Sequence, residues 1–135
     1  MAFLTESGDF VQFKYKAFTL IELLVVMAIV ATLLSLVAPR YFNSLAKAKE
    51  TVLHQDLSIL RQAIDQFYSD TGKYPIDLIE LVDKRYLRNI PIDPFTESDK
   101  TWIEVPPQNE NESGVYNVHS GHKGRASDGS FYEEW

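Results

Sequence analysis

An apolar run near the N-terminus sets the strongest limit on what this chain can fold into. Residues 18–38 read FTLIELLVVMAIVATLLSLVA, and Glu22 is their only charge. About 20 consecutive apolar residues are enough for an α-helix to cross the hydrocarbon core of a bilayer. The run is long for a secretory signal, and Val37, Ala38 and Pro39 do not form the small-x-small pattern of a cleavage site. The sequence therefore predicts a retained membrane-spanning helix.

Charged residues on either side of the run indicate its orientation. Lys14 and Lys16 precede it, and no acidic residue lies between Asp9 and the run. The positive-inside rule then places residues 1–17 in the cytoplasm and everything after Pro39 outside it. Arg40, just beyond the run, reduces this asymmetry of charge.

Glu22 is the residue of the run that most needs an explanation. A carboxylate inside a bilayer segment costs a few kcal/mol on insertion scales, so it is rarely kept without a partner. Two interpretations follow from its position. Either the side chain sits near the helix end and reaches the headgroups, or it meets a positive charge supplied by another chain.

Residues 16–41, KAFTLIELLVVMAIVATLLSLVAPRY, resemble the type III signal of type IV pilins and type II secretion pseudopilins. The resemblance implies that a prepilin peptidase cuts between Ala17 and Phe18 and methylates the new amine on Phe18. Glu22 would then be the fifth residue of the mature chain. Pro39 matches the proline that this family has at the far end of the membrane segment, whereas Ala17 stands where the family usually has glycine.

The same resemblance implies how such subunits assemble. Glu22 of one subunit would pair with the Phe18 amine of its neighbour in a helical homopolymer. A buried charge pair adds little net stability, but leaving either charge unpaired is expensive, so Glu22 would set the register of assembly. The family's partners are the prepilin peptidase, an assembly platform in the inner membrane and minor pseudopilins.

The leader, residues 1–17, is long for this family and carries Glu6 and Asp9. One interpretation is that translation starts at Val11, which leaves the short basic leader QFKYKA. The other is a long natural leader. The mature chain is the same in both cases.

Beyond the membrane segment (18–39), residues 40–70 continue a helical pattern with one apolar stripe. The stripe consists of Leu53, Leu57, Leu60, Ile64 and Phe67. Pro39 removes a helical hydrogen bond and should bend or weaken the helix locally. Gly72 and Pro75 predict its end, within YSDTGKYP (68–75), a segment that resembles the major pseudopilins of type II secretion.

Residues 71–135 are predicted to form a small α+β domain. A second helix should start near Asp77, with Glu80 completing a capping box, and end near 85–87. NIPIDPF (89–95) resembles the family's DP turn, and residues 101–105 and 115–119 read as strands. The expected fold is α+β and pilin-like: a long N-terminal helix packed against a small antiparallel sheet with a C-terminal loop.

The C-terminal loop, SGHKGRASDGSFYEEW (120–135), is the second distinctive stretch. The chain has no cysteine, so a disulfide cannot staple this small domain. In the pseudopilins that the chain resembles, a calcium ion orders the corresponding loop, and Ser120 and Asp128 are the positions carried over. Glu133 and Glu134 depart from the family's pattern. Alternatively, Asp128 lies in a simple turn and the tail is pinned to the core by its aromatic residues, Phe131, Tyr132 and Trp135.

No catalytic pattern is evident. His119 and His122 lack the spacing of a helical metal pair, His54 reads as a solvated residue, and there is no phosphate loop or nucleophile elbow. Basic residues are scattered and the net charge is -6, which argues against nucleic acid as a main partner. The expected function is that of a structural subunit of a type II secretion pseudopilus, a periplasmic filament that drives protein export across the outer membrane. The alternatives are a type IV pilus subunit for adhesion, motility or DNA uptake, and a monomeric anchored binding module.

Overall fold

The computed structural model describes Gly8 and residues 16–135, which divide into two compact units at Pro39. Helix α1 spans Leu20–Thr71 and helix α2 spans Leu78–Asp83. Strands β1 (Ile103–Val105) and β2 (Asn117–His119) form an antiparallel pair, and a 3-10 turn covers Tyr132–Glu134. This is the α+β, pilin-like arrangement expected from the sequence.

Helix α1 begins with a side-chain cap. Thr19 Oγ1 accepts a hydrogen bond from the Glu22 N–H (3.2 Å), which satisfies one of the amides that a helix start leaves without a partner. Farther along, the hydroxyls of Thr32 and Ser35 donate to Ala28 O (2.8 Å) and Thr32 O (2.7 Å). The hydroxyls of Thr32 and Ser35 are thus satisfied on the helix itself, as lipid requires.

Pro39 lies inside α1, and the helix continues on both sides of it. The proline therefore does not end the helix. Because proline has no N–H, one hydrogen bond to the preceding turn is missing at this point.

The predicted apolar stripe of α1 forms the centre of the core in residues 40–135, which confirms that expectation. Its five residues are at most 5% exposed. They pack against side chains from α2, the sheet and the C-terminal turn. The main partners are Leu78, Leu81, Trp102, Val115, Val118 and Tyr132.

The end of α1 is formed as predicted. Gly72 has a φ of 73° and its N–H donates to Tyr68 O (2.8 Å), the left-handed conformation that ends helices at low cost for glycine. After the helix, Pro75 is buried and its carbonyl accepts from Val115 N–H (2.8 Å). That bond joins the turn to the segment leading into β2.

Helix α2 starts as predicted but ends earlier, at Asp83. Asp77 Oδ1 accepts from Glu80 N–H (2.8 Å), while Glu80 Oε2 accepts from Ile76 N–H (2.6 Å), one residue before the expected partner. Arg85 adopts a left-handed φ of 65°, and Tyr86 N–H donates to Leu81 O (2.8 Å). This closing turn stops the helix before residues 85–87.

The two strands are shorter than predicted: residues 101–102 and 115–116 lie outside the paired strands, although Tyr116 N–H still donates to Val105 O (2.8 Å). Ile103, Glu104 and Val105 pair with His119, Val118 and Asn117. Before β1, the Trp102 indole N–H instead donates to Pro91 O (2.8 Å).

Candidate functional site

The residues predicted for processing lie directly before α1. Ala17 and Phe18 are in irregular backbone, and the Phe18 side chain is 81% exposed. A peptide bond outside regular structure, beside an exposed side chain, is open to a protease. Cleavage and methylation here stay predictions. The predictions about the leader and about a start at Val11 fall outside the described residues, apart from Gly8, Lys16 and Ala17.

Glu22 lies in the first turn of α1 and is exposed. Its neighbours Leu20, Ile21, Leu23 and Leu24 are also exposed, by 51% to 83%. The N-terminal end of a helix carries partial positive charge, which favours a carboxylate there. The position is compatible with both interpretations of Glu22, and its pairing with a neighbouring amine stays a prediction.

The apolar segment of α1 has no cover within the part of the chain that the structure describes. None of the residues in its most apolar 18-residue stretch is buried, and the helix is long and apolar enough to cross a membrane. Large side chains such as Leu24, Met27 and Leu34 are 57% to 69% exposed. A surface of this kind requires lipid or other helices around it.

The two residues carried over for a calcium site have separate partners. Ser120 is fully buried, and its hydroxyl donates to Asp93 Oδ2 (2.5 Å). Asp128 is exposed, and its Oδ1 accepts from the N–H (2.9 Å) and the hydroxyl (2.6 Å) of Ser130. These two bonds from Ser130 lower the pKa of Asp128. Gly129, with a φ of 89°, completes a turn here, which agrees with the alternative of a simple turn.

The two histidines beside Ser120 contact aromatic residues. His122 stacks on Phe95 (4.8 Å between ring centres), and His119 Nδ1 contacts Trp135 O at 2.6 Å. Glu133 and Glu134 are exposed. Across Gly8 and residues 16–135, no three His, Asp or Glu side chains cluster closely enough to hold a metal ion. Calcium binding, which also uses backbone carbonyls, stays a prediction.

Two residues of α1 that attach the C-terminal segment were not identified from sequence. Glu50 is 8% exposed and accepts hydrogen bonds from Ser127 and Tyr132. His54, expected to be solvated, stacks on Trp135 with ring centres 3.8 Å apart. A signal for Glu50 was present, because it lies three residues before Leu53 and so extends the apolar stripe by one turn.

A third attachment comes from Arg61, which reaches both β2 and the chain end. Its guanidinium donates to Asn117 Oδ1 (2.8 Å), Val118 O (3.0 Å) and Trp135 O (2.5 Å). Burial lowers the pKa of Arg61, but a guanidinium stays charged at any ordinary pH.

Comparisons with known proteins agree with this geometry. The family model described as the prokaryotic N-terminal methylation motif matches residues 12–38. Type II secretion system core protein G of Escherichia coli is 28% identical over 121 residues, 78% of this chain and 79% of the relative. The protein of the same name from Pseudomonas aeruginosa is 33% identical over 98 residues, 61% of this chain and 69% of the relative.

A fimbrial protein, EcpC of Eikenella corrodens, is 34% identical over 62 residues, but these are 46% of this chain and 40% of that protein. No solved structure matches significantly. The secretion relatives are matched over more of their length than the fimbrial one. The chain belongs to the type II secretion system core protein G family, the pseudopilins.

Proposed function

We propose that this chain is a pseudopilus subunit that assembles through α1 into a periplasmic filament and thereby drives protein export across the outer membrane. The observation that carries the proposal is the apolar segment of α1, which no other residue that the structure describes covers, although it is long and apolar enough to cross a membrane. Membrane lipid covers this surface before assembly, and the same segments of other copies cover it in the filament. The relatives are structural pseudopilins, and we propose no catalytic role.

Processing prepares the subunit for this exchange. Cleavage between Ala17 and Phe18 leaves an α-amine two residues before the start of α1. That cation of one subunit pairs with Glu22 of the next. Because a carboxylate without a partner is costly in lipid, the pair favours transfer of the subunit from the membrane into the filament and fixes its register.

A second uncovered surface lies beyond the membrane segment. Leu45, Val52 and Ile59 recur every seven residues and are 40% to 45% exposed. Two more exposed residues lie on the same seam: Tyr41 is four residues before Leu45, and Ala48 is three residues after it. Each α-helical residue turns by about 100°, so this seam lies beside the buried stripe rather than on it. A seam with this spacing packs against another helix, and we assign a second copy of this chain to it.

The proposed topology places the leader in the cytoplasm and residues 40–135 in the periplasm, with the membrane segment in the inner membrane. Lys14 and Lys16 before the segment support this orientation. The further partners are the prepilin peptidase, the assembly platform of the inner membrane and the minor pseudopilins.

Complementation of a deletion strain tests the proposal. Wild-type chain should restore secretion of enzymes into the medium. Cross-linking with a reagent that does not require cysteine should give a ladder of oligomers. Glu22→Gln keeps the shape of the side chain but removes its charge, and should reduce the ladder by on the order of tenfold or more. Ser35→Ala is the matched control, since the Ser35 hydroxyl bonds only within its own helix in the structure.

Two results would redirect the assignment. If the deletion abolishes surface pili and leaves enzyme secretion intact, the chain serves a type IV pilus, the alternative that the similarity to a fimbrial protein favours. If Glu22→Gln retains full activity and no ladder forms even for wild type, the chain is an anchored monomeric module.

A further inference from the structure

Glu50 is a buried acidic residue of α1 that the proposed assembly does not use. It is 8% exposed and lies one turn before Leu53, at the start of the stripe that packs against the small domain. A carboxylate in such a position is unfavourable unless it is well hydrogen-bonded.

Three donors converge on this carboxylate, and all come from the C-terminal segment, here residues 126–135. Oε1 accepts from Ser127 N–H (2.7 Å) and from the Tyr132 hydroxyl (2.9 Å). Oε2 accepts from the Ser127 hydroxyl (2.6 Å). Both oxygens are therefore engaged, and the partners lie 77 and 82 residues away along the chain.

The electrostatics agree with a carboxylate that stays ionised. Burial alone raises the pKa of Glu50, but the hydrogen bonds from Ser127 and Tyr132 outweigh it and hold the pKa below its ordinary value of 4.5. On the other side, burial and donation to Glu50 raise the pKa of Tyr132 to about 12. Glu50 thus stays ionised and can accept the hydrogen bond, and Tyr132 stays protonated and can donate it.

The end of the same segment is attached farther along α1. The Trp135 ring stacks on His54, its carbonyl accepts from Arg61, and its indole N–H donates to Ser130 Oγ (2.7 Å). Glu50, His54 and Arg61 follow one another at spacings of four and seven, so they share one side of the helix. The segment is therefore attached to α1 through three side chains of that helix.

These contacts have the opposite polarity to a cation site. Calcium needs several oxygen acceptors that point at one position, whereas the groups around Glu50 are N–H and O–H donors that engage both of its oxygens. Ser120 and Asp128, the two positions carried over from the family, do not supply these acceptors, because each is bonded to a different partner. The Ser120 hydroxyl donates a hydrogen bond to Asp93 Oδ2, and Asp93 Oδ1 accepts from Phe95 N–H (2.9 Å). Asp128 accepts from Ser130 within its own turn.

We propose that Glu50 anchors the C-terminal segment to α1 as an internal hydrogen-bond acceptor, and that this anchorage replaces a divalent cation as the staple of the loop. The stability of the folded domain is then independent of calcium. This inference concerns the folded subunit alone and holds whether or not the chain assembles into a filament.

The test uses the full chain in detergent and two readouts. The first is the thermal midpoint followed by the fluorescence of Trp102 and Trp135. The second is the rate of tryptic cleavage after Lys123 and Arg125, which are exposed and precede the anchored residues. Arg125 pairs with Phe131 in the closed segment, so cleavage there reports its opening.

Wild-type protein should give the same midpoint and the same cleavage rate in excess EDTA and in millimolar calcium chloride. Glu50→Gln replaces one acceptor oxygen by a donor, and should speed cleavage at these two sites by about tenfold. Tyr132→Phe removes a single donor and should give a smaller increase, and it keeps the test decisive if Glu50→Gln does not fold. Glu133→Gln, an exposed carboxylate of the same segment, should behave as wild type.

The proposal is wrong if EDTA lowers the wild-type midpoint or speeds cleavage and added calcium reverses the change, since the metal then staples the loop. It is also wrong if Glu50→Gln and Tyr132→Phe are both cleaved at the wild-type rate.

Discussion

Glu22 and Glu50 are both acidic residues of α1, but their surroundings differ. Glu22 is exposed in the first turn among apolar neighbours, and the pairing proposed for it is with another subunit. Glu50 is buried and has three donors from its own chain. Removing the charge of Glu22 should therefore affect assembly, whereas removing that of Glu50 should affect the folded domain.

At Glu50 we predict a loss of stability in acid. Its pKa is lower in the folded state than the ordinary 4.5, so the folded protein binds fewer protons than the unfolded chain at moderate acidity. The stabilisation is fully present above the unfolded pKa and is lost as the pH falls through the folded pKa. The thermal midpoint should decline below about pH 4.5.

Thermal unfolding of Glu50→Gln over the same pH range checks this assignment. The amide does not titrate, so the variant should start less stable at neutral pH and lose less on acidification. Equal acid slopes for the variant and wild type would contradict a role for Glu50. Asp128, whose pKa is also lowered, would then be the next group to substitute.

Helix α1 presents two apolar surfaces with different partners. Leu53, Leu57 and Leu60 are at most 1% exposed because the small domain covers them. Leu45, Val52 and Ile59, on the neighbouring side, are 40% to 45% exposed. Hydrophobic residues buried in the subunit stabilise its fold, whereas exposed ones at helical spacing are available to another copy.

Two alanine substitutions on this helix should separate the surfaces. Leu57→Ala leaves a cavity in the core and should lower the free energy of unfolding by about 3 kcal/mol. Ile59→Ala removes an exposed side chain and should change it by less than about 0.5 kcal/mol. Chemical denaturation of the full chain in detergent measures both values.

The same pair distinguishes folding from assembly. In the complemented deletion strain, Ile59→Ala should weaken the cross-linked ladder of oligomers although the subunit remains as stable as wild type. A variant that is normal in both assays would show that the Tyr41–Ile59 seam does not contact a second copy.

The helix and its stop were predictable because their signals are local. The apolar stripe follows helical spacing, and Gly72 ends α1 one residue from the predicted boundary, at Thr71. The segment before β2 makes a contact between distant parts of the chain, Val115 N–H to Pro75 O, and the early end of α2 follows from a left-handed residue, Arg85, that the sequence pattern does not mark. Glu50 and Ser127 are 77 residues apart in the sequence, so a local sequence pattern could not predict the hydrogen bond between them.

For the whole molecule, one prediction carries the others. We predict that the N-terminal segment contacts lipid and then other copies, and that the chain is cut before it enters a filament. The family model matches residues 12–38, which include the predicted cleavage point. Processing between Ala17 and Phe18 would create the amine that we propose as the partner of Glu22.

The most direct measurement is the intact mass of the membrane-extracted protein, made with and without a co-expressed prepilin peptidase. We predict that the peptidase removes everything through Ala17 and that the remaining chain carries one extra methyl group on Phe18. An uncut chain, in a strain whose other prepilins are processed, would contradict the account and favour a monomeric anchored module.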